Sequence, residues 1–93
     1  MLISYQGDNM ITKENYHKTK RYVKALSKPQ IKELCADMEL NDLEAKLLIS
    51  SYDGESVIKI CMDNYICESA YTKYIKMVYS KVYNYFRYKN ISF

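Results

Sequence analysis

The sequence predicts an all-α fold, a small bundle of about five helices, on three observations. Its 93 residues hold only two glycines and one proline, too little turn chemistry for a many-stranded sheet. Apolar residues recur at helical spacing along most of the chain. Thr, Ser and Asn stand in front of these periodic stretches, where a side-chain oxygen can accept the free N–H groups of a helix's first turn. With 48% hydrophobic residues, one compact domain with a modest core is expected, too small for a multidomain enzyme with a deep cleft.

Residues 1–11 have no period and contain Gly7, Asp8 and Asn9, so they read as an irregular lead-in in which Met10 offers an alternative start. The domain proper is expected over 12–93. Thr12 caps a helix over KENYHKTKRYVKAL, with Tyr16, Thr19, Tyr22, Val23 and Leu26 on one face. Ser27 caps the next helix and Pro29 sits in its first turn, where a missing N–H is harmless. That helix turns Ile31, Leu34, Cys35 and Met38 inward and ends near Glu39-Leu40-Asn41.

Asn41 caps DLEAKLLISSY, which buries Leu43, Leu47 and Leu48 and sets Asp42 and Glu44 at the positive end of the helix. Gly54 supplies the left-handed residue that ends it, and Ser56 starts a short helix with Val57, Ile60 and Cys61 inward. The longest helix is expected from Ser69 to about Lys89. Its spacing separates Tyr71, Ile75, Val78, Val82 and Phe86 from Lys73, Lys76, Ser80, Asn84 and Arg87 on the opposite face.

Charge is segregated along the chain. Residues 1–32 carry seven Lys/Arg against two acids (+5), residues 33–68 two lysines against nine acids (−7), and residues 69–93 five Lys/Arg and no acid (+5). Basic ends around an acidic middle point to a polyanion partner for the ends. No apolar run is long enough to span a bilayer, and the first ten residues lack the pattern of a signal peptide, so a cytoplasmic protein with no membrane partner is expected. Cys35, Cys61 and Cys67 form no CxxC pair and have only His17 beside them as a zinc ligand type. They read as small buried apolar groups in a reducing compartment.

The stretch Leu40 to Phe86, about half the chain, carries a resemblance. A leucine-rich helix with an acidic start precedes a break at Tyr52, Gly54 and Ser56. A short helix with Val57, Ile60 and Cys61 follows, then a turn plugged by Ile66 and a last helix that buries Tyr71 and Ile75. This order resembles the helix-turn-helix of sigma-factor region 4 and of related small regulators in Gram-positive bacteria and their mobile elements, with the motif over residues 56–77. The family has a leucine and a glycine where this chain has Asn64 and Tyr65. Either Asn64 takes the positive-φ conformation or the turn is built differently.

The resemblance implies a transcriptional or mobile-element regulator that binds double-stranded DNA. It puts the base-reading positions at Glu68, Ser69, Ala70, Thr72, Lys73 and Lys76, with Glu68 repelling phosphate. A helix fits the major groove, short residues let its backbone approach, and lysines reach phosphates or guanine edges. Lys73, Lys76 and Lys81, with Lys20, Arg21 and Lys24 of the first helix, are the expected phosphate contacts. Reading a palindrome needs a homodimer, for which the C-terminal helix is the expected contact.

A second reading keeps the scaffold without the DNA. The acidic middle, with Asp37, Glu39, Asp42, Glu44, Asp53 and Glu55, would then engage a basic protein partner as an adaptor or inhibitor. Most of the eleven tyrosines fall at core spacing and are expected buried with a bonded hydroxyl. Tyr79, Tyr83 and Tyr88 lie beside the main stripe and either extend the core or serve a dimer. His17 has no carboxylate or nucleophile near it in sequence, and nothing resembles a triad, a phosphate loop or a paired-acid site. No enzyme activity and no cofactor are expected.

Overall fold

The computed structural model describes residues 11–89. The lead-in of residues 1–10, Met10 included, and residues 90–93 lie outside it. Five helices follow one another: α1 (Lys13–Lys24), α2 (Lys28–Asp37), α3 (Asp42–Tyr52), α4 (Val57–Asn64) and α5 (Glu68–Tyr88). The fold is all-α, as the sequence predicts, with no strand among the described residues.

Each of the first four helices begins where its cap residue stands. Thr12 Oγ1 accepts the N–H of Asn15 at 3.2 Å, and Ser56 Oγ accepts that of Lys59 at 3.2 Å. Ser27 with Gln30 and Asn41 with Glu44 close reciprocal capping boxes. Each box satisfies two otherwise free N–H groups. Three helices end on one left-handed residue: Glu39 (φ 55°), Gly54 (φ 79°) and Tyr65 (φ 57°). In each case the next N–H reaches back to the carbonyl five residues earlier: Leu40 to Cys35, Glu55 to Ser50 and Ile66 to Cys61. Gly54 is the one of the three that adopts this conformation without strain. After α4 the positive φ falls on Tyr65 and not on Asn64, whose side-chain amide instead donates to the Ile60 carbonyl.

The long α5 is the axis of the domain: α1, α3 and α4 pack on it, and α2 packs on α3. Helix α1 runs parallel to the second half of α5, with Tyr16 edge-on to Tyr79 and Tyr22 edge-on to Phe86. The expected inward residues of α5, Tyr71, Ile75, Val78, Val82 and Phe86, are buried, together with Val23, Ile31, Leu47, Leu48 and Ile60. Two further residues are buried as well: Tyr79, which lies beside the main stripe and extends the core, and Ser80, expected on the opposite face. Tyr79 is the largest fully buried side chain and lies within hydrogen-bond distance of Ser51 Oγ, and Ser80 accepts the N–H of Ile11. A helix covered on three sides by neighbours needs a wider buried arc than one stripe, which is why the two-face division of α5 fails there. Val57, expected inward, is 41% exposed.

Candidate nucleic-acid interface

The start of α5 is set by a three-residue turn, Tyr65 to Cys67. Ile66 is half-buried against the core, as its place in the sequence suggests. Cys67 is the N-cap residue and Glu68 begins the helix. From here Ser69, Thr72, Lys73 and Lys76 follow at the i, i+3, i+4, i+7 spacing of one helix face, and all four are exposed. Neither Lys73 nor Lys76 makes an ion pair among the described residues, whereas Lys18, Lys28, Lys59 and Lys81 each sit within 4.0 Å of a carboxylate.

The other expected contacts divide. Ala70 is half-buried and about 100° around the helix from Ser69, so it does not join that face. Thr72 donates its hydroxyl hydrogen to the Glu68 carbonyl at 3.0 Å, which leaves its oxygen to accept and its methyl to make apolar contact; it cannot also donate to a phosphate in this rotamer. Ser69 Oγ lies 3.2 Å from Cys67 Sγ. Lys81 is the clearest departure: it is largely buried and paired with Glu44 of α3. Its charge is used inside the domain because the acidic first turn of α3 crosses α5 at that level.

Lys20, Arg21 and Lys24 lie in the second half of α1, Lys20 half-buried and the other two exposed. The Tyr16–Tyr79 contact fixes the register of the two parallel helices. At 1.5 Å per residue, Lys73 and Lys24 therefore stand about 20 Å apart along the helix axes. The ammonium of Lys24 points to the α3–α4 turn, 4.0 Å from where a Cβ on Gly54 would lie. Of α5's apolar residues, Tyr74, Met77 and Tyr88 remain exposed.

The acidic middle is partly spent on internal pairs. Glu44 holds Lys81, Asp53 holds Lys28 at 2.9 Å, and Glu55 lies 3.8 Å from Lys59. Asp37, Glu39 and Asp42 remain exposed without an ion pair among the described residues. Among these residues no group of three or more His, Cys, Asp or Glu is placed to hold a metal ion, and no helix is long and apolar enough to cross a membrane. His17 is exposed, with its ring edge-on to Tyr16.

No protein-family model, curated protein or solved structure matches this chain. The site therefore stands on its own geometry.

One residue that sequence reasoning missed belongs to this site. Cys67 is exposed, unlike Cys35 and Cys61. Its sulfur makes no capping hydrogen bond of good geometry, yet the Ser69 hydroxyl and, after it, the Ala70 N–H draw the thiol below its usual range. Burial pushes the Cys35 and Cys61 thiols the other way. The signal lay in position: Cys67 directly precedes the Glu68-Ser69 helix start, where a side chain faces solvent and the positive helix end.

Proposed function

We propose that the chain binds double-stranded DNA through the exposed face at the start of α5, as a transcriptional or mobile-element regulator of the helix-turn-helix kind. The observation that carries this reading is the charge left uncommitted. Lys73 and Lys76 stand exposed and, among the described residues, without an ion pair on the same face as Ser69 and Thr72, while Lys28, Lys59 and Lys81 are held by carboxylates. In this reading the tip of α5 enters the major groove, with Ser69 and Thr72 nearest the bases and Lys73 and Lys76 on phosphates or guanine edges. Lys20, Arg21 and Lys24 extend the phosphate contact along α1. Glu68, exposed beside them, limits the affinity.

The test is a salt-titrated binding assay on random and genomic duplex DNA. Five phosphate contacts, two from α5 and three from α1, correspond to a slope of log K against log salt of about −4.5. Replacing Lys73 and Lys76 by alanine should lower that slope by about 2, and Lys73→Glu with Lys76→Glu should weaken binding strongly. Absence of duplex binding by the wild-type chain at low salt, or binding untouched by the double charge reversal, overturns the reading.

A further inference from the structure

Three of the four most exposed large apolar residues among the described ones stand along α4 and its C-cap, the fourth being Tyr88 near the end of α5. Ile58, Met62 and Tyr65 are 61%, 70% and 95% exposed; Ile58 and Met62 share the outer face of α4 at i, i+4 spacing and Tyr65 follows at its C-cap, so the three form an apolar ridge along that end of the helix. Together they leave roughly 400 Å² of apolar surface open to water, the size of the largest patch on a typical monomer and one that often marks an interaction site. The ridge ends on Tyr65, which the backbone holds at φ 57° and ψ 43°. A bulky residue in this conformation is strained by roughly 1–2 kcal/mol, whereas glycine is not. An exposed tyrosine kept there makes no compensating contribution to the core.

The borders of the ridge are acidic. Glu55, Asp63 and Glu68 flank it, and the one lysine among them, Lys59, is already held by Asp63 at 2.7 Å and Glu55 at 3.8 Å. These four residues carry three negative charges and one positive, a net of −2, in a chain of net +3. A second copy seated on the ridge by a two-fold axis would set −2 against −2. The apolar area is also about half of the ~800 Å² per partner that a standard stable interface buries. It matches the contact of one helix lying on another, with apolar anchors along its seam and charges beside them.

We propose that α4 is a docking ridge for a basic amphipathic helix of a partner protein, one that presents leucine-like side chains to Ile58, Met62 and Tyr65 and lysine or arginine to Glu55, Asp63 and Glu68. This surface borders the proposed DNA face at Glu68, but its apolar anchors Ile58, Met62 and Tyr65 are not among the proposed DNA contacts, so its test does not depend on them. The attraction of opposite charge steers the encounter and selects the partner, and the apolar ridge supplies most of the binding.

The probe is a monomeric synthetic helix with a leucine stripe flanked by lysine, set against the same helix with glutamate in place of lysine. Binding to the full chain is read by fluorescence anisotropy and by amide shift changes in NMR. The lysine helix should bind at least about tenfold more tightly than the glutamate helix, with shift changes gathered over residues 55–68. Met62→Ser and Ile58→Ser should each weaken it, and Tyr65→Gly should weaken it while keeping or raising the melting temperature, which separates lost contact from lost folding. Equal affinity for the two helices, shift changes elsewhere, or indifference to all three substitutions overturns the proposal. So does a dimer in sedimentation of the chain alone that Met62→Ser dissolves, because the occupant is then a second copy.

Discussion

Replacing Tyr79 by phenylalanine should have a cost that disappears at high pH. Tyr79 is fully buried in the middle of α5, with its hydroxyl 3.2 Å from Ser51 Oγ. Burial, only partly offset by the Ser51 hydrogen bond, pushes its phenol up to about 12 from the ordinary 10.0. Below the unfolded value both states keep the proton and the contribution to stability is complete. Between pH 10 and 12 the unfolded chain loses the proton first, so stability falls by about 1.4 kcal/mol per pH unit until the folded phenol also ionises. At pH 11 the loss is about 1.4 kcal/mol and by pH 12 it approaches its full size of about 2.7 kcal/mol. At pH 8 the phenylalanine variant lacks the hydrogen bond to Ser51 and should be less stable by about 1 kcal/mol. At pH 11 wild type alone has suffered the titration loss, and the two proteins should be equally stable or in reversed order. Urea unfolding of both proteins at the two pH values, followed by circular dichroism, isolates the effect, since the other tyrosines titrate in both. An unchanged gap between pH 8 and pH 11 would refute the claim that the fold shields this phenol.

Three further outcomes are expected. Thr19 is fully buried and its Oγ1 has no hydrogen-bond partner among the described residues, so Thr19→Val should raise stability by about 1 kcal/mol in thermal unfolding; a lower melting temperature contradicts this. Lys81→Met leaves the Glu44 carboxylate, 16% exposed, without its cation and should lower stability by about 1–3 kcal/mol with no change in the salt dependence of DNA binding; a shallower salt slope returns Lys81 to the interface. Iodoacetamide on the native protein should label Cys67 well before Cys35 and Cys61, and Ser69→Ala should slow that labelling near neutral pH by returning the thiol toward its usual range. Peptide mass analysis showing equal labelling of all three cysteines would count against this assignment.

The helix starts were legible because their signals are local. Thr12, Ser27, Asn41 and Ser56 are each read from one residue and the apolar period behind it, and each caps in the structure. Of the three left-handed residues that close helices only Gly54 was legible, because Glu39 and Tyr65 have no intrinsic preference for positive φ and adopt it under tertiary constraint. Long-range pairing was hidden for a similar reason. That Lys81 meets Glu44, 37 positions away, or that Tyr79 meets Ser51, follows from how α3 crosses α5, and no spacing along the chain encodes a crossing. The candidate DNA face fared better. Ser69, Lys73 and Lys76 share a face by helical period alone, while Ala70 and Lys81 entered the set from the resemblance and from charge, neither of which reports burial.

The turn from Tyr65 to Cys67 unites these strands, because two of its three residues are poor choices for stability. Position 65 needs the left-handed conformation that glycine adopts freely, yet it holds a tyrosine 95% exposed. Position 67 is an N-cap, where Ser, Asp or Asn would accept a first-turn N–H, yet it holds a cysteine that makes no capping bond. Only Ile66 packs inward as the fold requires. Local rules broken at adjacent exposed positions, without gain to the core, mark residues kept for what they meet outside the domain. On the proposals above, Tyr65 serves the α4 ridge and Cys67 adjoins the start of the α5 face, so the two proposed surfaces meet at this three-residue turn. Tyr65→Gly with Cys67→Ser should accordingly stabilise the domain by about 1–2 kcal/mol while weakening the basic-helix contact. If urea unfolding shows the double variant less stable than wild type, Tyr65 and Cys67 serve the fold after all, and the reading of this turn as a functional joint fails.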